Sequence, residues 1–205
     1  MGVKFILNKK DSLINIPTSK KFPENKYSLV STIGNWEIFK NNEALPRIFL
    51  TDKYTIEADK NKIIGKLFDP QFDFKTIILE ESFGPNLSLD EDQNSKVEVE
   101  SYTPNKINLL VNTSTNQLLF LSDTFYSGWK AYIDQNETKI YRADYTFRAV
   151  LVGAGSHRVV FSYEPKSFKT GLIITKLSIS LLMILIIGSI IVKVLRLRKL
   201  GNEKI

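Results

Sequence analysis

The longest unbroken hydrophobic pattern lies near the carboxyl end. Between Leu177 and Val192 stand eleven Leu, Ile or Val and Met183, interrupted only by Ser178, Ser180, Gly188 and Ser189 and by no charge. A helix lying against a core or along a membrane surface shows a polar side; this run has none, so it predicts a transmembrane helix. Sixteen residues at about 1.5 Å each reach about 24 Å, short of a hydrocarbon core of about 30 Å. A span over residues 171–192 makes up the difference, with Lys176 near enough to its end to carry its ammonium out to the headgroups.

Upstream the pattern changes to short strands. Val3–Leu7 predicts a strand, and Tyr27–Thr32 with Asn35–Phe39 predict a hairpin about Gly34. Ile48–Leu50 follows as another strand. From Glu57 to Phe68 the apolar residues fall at Ile63, Ile64, Leu67 and Phe68, a helical spacing closed by Asp69-Pro70. Beyond Thr76–Glu80 only strands and turns are predicted. Val97–Tyr102 alternates as one half-buried strand does, whereas Ile107–Val111 and Leu118–Leu121 are apolar enough to be buried on both faces. Lys130–Ile133, Thr138–Arg142, Phe147–Val152 and Arg158–Tyr163 complete the set, separated by turns at 134–137, 143–145 and 153–156. Many short strands about ten residues apart, without alternating helices, argue for a mainly β fold, a β-sandwich rather than a βαβ sheet. The expected order is a small N-terminal α/β segment of strand and hairpin over 1–45, a β-sandwich-like domain with one short helix over 46–168, the transmembrane helix over 171–192 and a basic tail over 193–205.

Charge sharpens this order. The 205 residues carry a formal +6, but six of the Lys and Arg and a single acid, Glu203, lie from Gly171 onward, so the tail holds +5 and residues 1–170 only +1. The basicity belongs to the membrane-proximal end, which removes nucleic acid as a partner and leaves the lipid bilayer. Lys193, Arg196, Arg198, Lys199 and Lys204 after the span outnumber Lys166, Lys169 and Lys176 at its entrance. The bias places the tail in the cytoplasm and residues 1–170 outside the cell membrane. Met1–Lys20 has no signal-peptide core, so an extracytoplasmic domain on this side implies a preceding membrane region, and the chain is expected to be the end of a longer membrane protein. A tail-anchored cytosolic domain is the alternative topology.

Little in the sequence supports catalysis. There is no cysteine and one histidine, His157, and no cofactor motif, so no catalytic residue and no metal ligand is assigned. Asp90-Glu91-Asp92-Gln93-Asn94 begins like a calcium loop but has Ser95 and Ser101 where the turn glycine and bidentate glutamate belong; a solvated turn is expected. Glu80-Glu81, as neighbours on a strand, should point to opposite faces, and His157 beside a glycine-rich turn is expected to be an ordinary surface side chain. Three glycosylation sequons, at Asn86, Asn112 and Asn136, are as many as an Asn-rich chain supplies by accident. Phe125-Tyr126-Ser127-Gly128-Trp129 has the composition of a sugar-stacking platform, making Tyr126 and Trp129 the candidate glycan-binding residues. The competing expectation is that Trp129 plugs the end of the sandwich.

The run Leu118–Asp134, with Ser122-Asp123-Thr124-Phe125-Tyr126-Ser127-Gly128-Trp129 at its centre, resembles the carboxyl-terminal region of the YfhO-like bacterial membrane proteins. Tyr141–Val150, Gly153-Ala154-Gly155-Ser156-His157 and Phe161-Ser162-Tyr163-Glu164-Pro165 continue the resemblance, and Gly2–Leu7 and Glu43-Ala44-Leu45-Pro46-Arg47 extend it upstream. Gln135 departs from it, standing where an Asp-Gly turn is usual. The resemblance implies a polytopic protein related to the GT-C class, moving a sugar from a polyprenyl-phosphate carrier onto a cell-surface polymer. Catalytic acids of that class lie in an amino-terminal membrane core, so none is carried onto this chain. This domain and the last span would then support a glycosyltransferase, with the polytopic part encoded upstream as partner. A free-standing membrane-anchored module binding a cell-surface glycan is the alternative.

Overall fold

The structure, a computed structural model, describes residues 2–10, 21–84 and 88–202. The chain divides into two compact units, Met1–Ser162 and Tyr163–Ile205.

The first unit is built almost wholly of strands. β1 (Phe5–Lys9), β2 (Tyr27–Ile33) and β3 (Trp36–Asn41) form an antiparallel sheet in the order β1-β3-β2, with Gly34 at φ +56° in the β2–β3 turn. Within 1–45 the described elements are these three strands, and residues 11–20 lie outside the described residues. On one face of the sheet Phe39 is buried beneath Phe22, ring centroids 4.4 Å apart.

The remaining strands make two larger sheets. β7 (Lys96–Thr103), β8 (Lys106–Thr113), β10 (Trp129–Ile133), β11 (Asn136–Thr138) and β14 (Gly155–Tyr163) form a five-stranded sheet in the order β11-β10-β14-β8-β7. β4 (Ile48–Thr51), β5 (Tyr54–Ile56), β6 (Ile77–Leu79), β9 (Gln117–Leu121), β12 (Tyr141–Ala143) and β13 (Phe147–Val152) form a six-stranded one, β4-β9-β13-β12-β6-β5. Leu119, Leu121, Val150 and Val152 of the second sheet share one buried cluster with Ile107, Leu109, Val111, Val159 and Phe161 of the first. Two sheets closing on a common apolar layer is a sandwich, as the strand pattern led us to expect. The reverse face of the six-stranded sheet is also covered, around Ile77, Leu79, Leu118, Phe120 and Tyr141, which is why Leu118–Leu121 can be apolar at every position.

Four expectations change. Ile107–Val111 is not buried on both faces: Ile107, Leu109 and Val111 are buried while Leu110 is 40% exposed, because β8 has solvent on its outer side. Val97–Tyr102 sits on an edge strand with a bulge between Val99 and Ser101, where Val99 is 51% and Tyr102 43% exposed. The strand predicted over Thr138–Arg142 is two strands, β11 and β12, belonging to different sheets; the chain crosses the sandwich at Lys139-Ile140. Finally, β5 pairs parallel with β6 across helix α1 (Lys60–Leu67), a single βαβ unit. A three-residue strand such as Tyr54–Ile56 is too short for alternation to reveal. The helix begins later than Glu57 because the Asp59 carboxylate accepts the N–H groups of Asn61 and Lys62, an N-cap.

The second unit is helix α2 (Lys166–Asn202), of which Lys166–Lys193 is long and apolar enough to cross a membrane. Its described side chains are exposed on every side. The hydroxyls of Thr175, Ser178 and Ser180 donate to the carbonyls of Gly171, Ile174 and Lys176, each at 2.9 Å, so these groups need no water.

Candidate functional site

Four segments far apart in sequence meet on one carboxylate. Asp123 follows β9, and its side chain is only 10% exposed. Its Oδ1 accepts from Arg47 Nε at 2.9 Å and Nη2 at 2.6 Å; its Oδ2 accepts from Arg148 Nη2 at 3.0 Å; and the Tyr102 hydroxyl lies within 2.8 Å of both oxygens. Arg47 precedes β4, Tyr102 lies on β7 and Arg148 on β13, so one anion ties both sheets together.

Arg148 is the unusual member. It is 1% exposed, in a strand otherwise made of Phe147, Ala149, Val150, Leu151 and Val152. Its guanidinium carbon lies 4.0 Å from the Trp129 ring centroid and 5.2 Å from that of Phe161. Nε and Nη1 are buried without a hydrogen-bond partner; the aromatic faces supply the negative potential that water would otherwise provide. Burial lowers the Arg148 pKa, with Asp123 opposing the shift.

Asp123 is held below the ordinary carboxylate range: burial by itself would raise it, but hydrogen bonds from Tyr102 and Arg47 and the charge of both guanidiniums prevail. The bond to Asp123 raises Arg47 in turn, and burial raises Tyr102. A carboxylate fixed in this way is a poor base near neutral pH. The cluster is suited to clamping strands, and its outward group is Arg47, stacked 5.0 Å over the Tyr102 ring.

Tyr126 and Trp129 lie on one turn, where the Trp129 N–H donates to the Tyr126 carbonyl at 3.3 Å and Gly128 takes φ +109°. Tyr126 is 60% exposed. Trp129 is half-buried against the main core, with Arg148 over its ring.

A second feature adjoins the six-stranded sheet. A cavity of about 510 Å³ is walled by Phe49, Phe120, Phe147, Ile64 and Leu67, and Asp144 is among the residues that line it. Asp144 adopts φ +46°; its Oδ1 accepts the Ile78 N–H at 2.8 Å and its own N–H donates to the Ile78 carbonyl. Burial pushes its pKa up to about 6, the Ile78 N–H opposing the shift.

The remaining sequence candidates have ordinary partners. Glu80 faces Arg142 at 3.6 Å and Glu81 faces Lys139 at 2.6 Å, so the two diverge. Asp92 caps a turn, accepting from the N–H groups of Asn94 and Ser114. His157 Nδ1 meets Asp134 Oδ2 at 2.7 Å. Among the described residues no three His, Cys, Asp or Glu side chains are placed to hold a metal. Asn86 lies outside the described residues.

Sequence reasoning named Asp123, Arg47 and Arg148 only as parts of motifs and missed that they converge. One signal was available: an arginine inside an apolar strand must find an anion.

Residues 86–175, a little under half of the chain, match the family model described as bacterial membrane protein YfhO. The match takes in Tyr102, Asp123, Trp129 and Arg148; Arg47 and the Gly2–Leu7 segment lie before it. No curated protein and no solved structure matches the chain. From the β7 side of the sandwich to the first turns of α2, this chain therefore carries a YfhO-like region.

Proposed function

We propose that the chain is the extracytoplasmic β-sandwich and last membrane span of a YfhO-family protein, a non-catalytic part of a glycosyltransferase. That enzyme would move a sugar from a polyprenyl-phosphate carrier onto a cell-surface polymer. The observation supporting this reading is the family match over residues 86–175, which runs through β7 to β14 and into the first ten residues of α2, while β4, β5 and β6 of the sandwich lie before it. The excess of Lys and Arg after the span favours a cytoplasmic tail. The Asp123 clamp, which holds its proton balance fixed near neutral pH, fits a supporting role.

The test is genetic and topological. Deleting the gene should remove one sugar from a cell-surface polymer, read by mass spectrometry, and protease added to spheroplasts should degrade residues 1–170 while a C-terminal tag survives. An unchanged polymer rejects the glycosyltransferase role, and a protected domain rejects the orientation.

The glycan-binding reading draws on the exposure of Tyr126. Arg148 takes one face of the Trp129 ring, leaving less of it for a sugar. Trp129→Ala should abolish glycan binding with the fold intact under that reading; lost folding supports the plug.

A further inference from the structure

The three-stranded sheet has two unlike faces. Cross-strand partners put Phe5, Leu7 and Lys9 of β1, Trp36, Ile38 and Lys40 of β3 and Ile33 of β2 on the same side. Here Phe5 is 54% exposed, Leu7 59%, Ile33 66% and Trp36 43%. The acid of this sheet, Glu37, is on the opposite face, buried with Asn8 and paired to Lys10. The open face thus carries exposed aromatic and aliphatic side chains and, as its charges, lysines. Lys9 lies 6.0 Å from the Trp36 ring centroid and Lys4 6.0 Å from that of Phe5.

A cleft of about 370 Å³ nearby repeats the sign. Lys4 and Lys40 border it with Asn41 and Asn42, beside Arg47, whose charge is engaged by Asp123. The neighbouring acid, Glu43, is paired with Lys26 at 3.4 Å.

We infer that this face rests on an anionic phospholipid surface, with Phe5, Leu7, Ile33 and Trp36 entering the headgroup boundary and Lys4, Lys9 and Lys40 meeting lipid phosphates. An apolar patch alone would suit a protein partner equally well. The basic border, whose neighbouring acid Glu43 is already paired with Lys26, matches an anionic bilayer, where aromatic residues partition at the interface and each lysine adds about fivefold to binding. Linkage to the apolar helix keeps a bilayer at high local concentration, so weak contacts suffice. The inference is independent of the glycosyltransferase reading.

The test uses the full chain in phosphatidylcholine vesicles, with or without about 30 mol% phosphatidylglycerol, and bromine-labelled lipid as quencher. The chain has two tryptophans, so the Trp36 signal is the difference between wild type and Trp36→Phe. Bromolipid should quench that component in the anionic vesicles. Quenching should fall in neutral vesicles and in about 0.5 M salt, where charges are screened beyond about 4 Å. Lys4→Gln/Lys9→Gln/Lys40→Gln should lose it, with an unchanged thermal unfolding curve. Absence of a Trp36 component overturns the inference, as does quenching equal in neutral vesicles and insensitive to salt. Shielding from aqueous iodide without bromolipid quenching assigns the face to a protein, a second copy included, and overturns it too. If the triple variant unfolds, the salt dependence of the wild type decides.

Discussion

Asp123 and Asp144 are both carboxylates withdrawn from water in the same sandwich unit, and they are displaced in opposite directions. Asp123 accepts from two guanidiniums and a phenol and is held low. Asp144 has the Ile78 N–H and an apolar cavity beside it, and rises to about 6. Burial pushes both the same way; the partners decide the sign. One carboxylate therefore ties the fold together as an anion, while the other costs the fold free energy whenever it ionises.

The sharpest way to break this contrast is to remove the anion from the clamp. Asp123→Ala leaves Arg148 buried without its counter-charge, and should cost about 3–5 kcal/mol in urea unfolding of the detergent-solubilised chain. Adding Arg148→Met should restore much of that loss, because a similar-sized apolar side chain removes the unpaired charge. If the double variant is as unstable as the single one, the clamp acts by shape rather than by charge pairing.

Asp144 predicts the reverse. Its folded pKa, about 6, stands above the ordinary 3.8, so the folded chain binds the extra proton. This contribution is greatest below pH about 4, falls as pH rises through 6, and is level above. A shift of about two units corresponds to about 3 kcal/mol. Asp144→Asn keeps an acceptor for Ile78 and tolerates the positive φ. It should therefore stabilise the chain by up to about 3 kcal/mol at pH 8 and by little at pH 4, read from paired urea melts. Equal effects at both pH values would mean that charge is not the cause.

These two sites also mark how far the sequence could be read. The strand series, the sandwich and the apolar helix were legible because alternation and continuous hydrophobicity are local patterns. Asp123, Arg47, Tyr102 and Arg148 lie tens of residues apart, and pairing across two sheets leaves no local trace. Arg148 inside Phe147–Val152 announced that an anion was needed without naming it. Asp144 looked like a turn residue, as it is; its cavity is set by Phe49, Phe120 and α1, which the turn pattern cannot report. The break at Lys139-Ile140 was hidden for the same reason, since β11 and β12 read as one run until their partners are known.

Asp144 combines charge with a left-handed backbone, and Gln135 isolates the second. Asp134 and Gln135 take φ +49° and +72° between β10 and β11, a two-residue hairpin in which both central positions are left-handed. Glutamine has neither the freedom of glycine nor the short polar side chain of asparagine. Gln135→Gly should stabilise by about 0.5–1 kcal/mol, the relief of strain being offset in part by unfolded-state entropy. A loss of stability would show that the glutamine side chain makes up for its backbone.

The smallest effect belongs to an open counterpart of the Asp123 clamp. His157 Nδ1 lies 2.7 Å from Asp134 Oδ2, and the bond raises His157 above its ordinary 6.5 and lowers Asp134 below 3.8. The histidine's contribution is complete below pH 6.5 and is lost as pH rises through its raised pKa. The aspartate's is complete above 3.8 and is lost as pH falls through its lowered one. The pair therefore favours the fold most between these limits, by a small amount because solvent screens it. NMR titration should place the imidazole above 6.5 in the wild type and return it towards that value in Asp134→Asn, which keeps the positive φ. The same substitution should flatten the dependence of thermal stability on pH near neutrality. An imidazole titrating at its ordinary value in the wild type would mean that an ion pair on this surface, unlike the buried one at Asp123, is too well solvated to bias its own protonation.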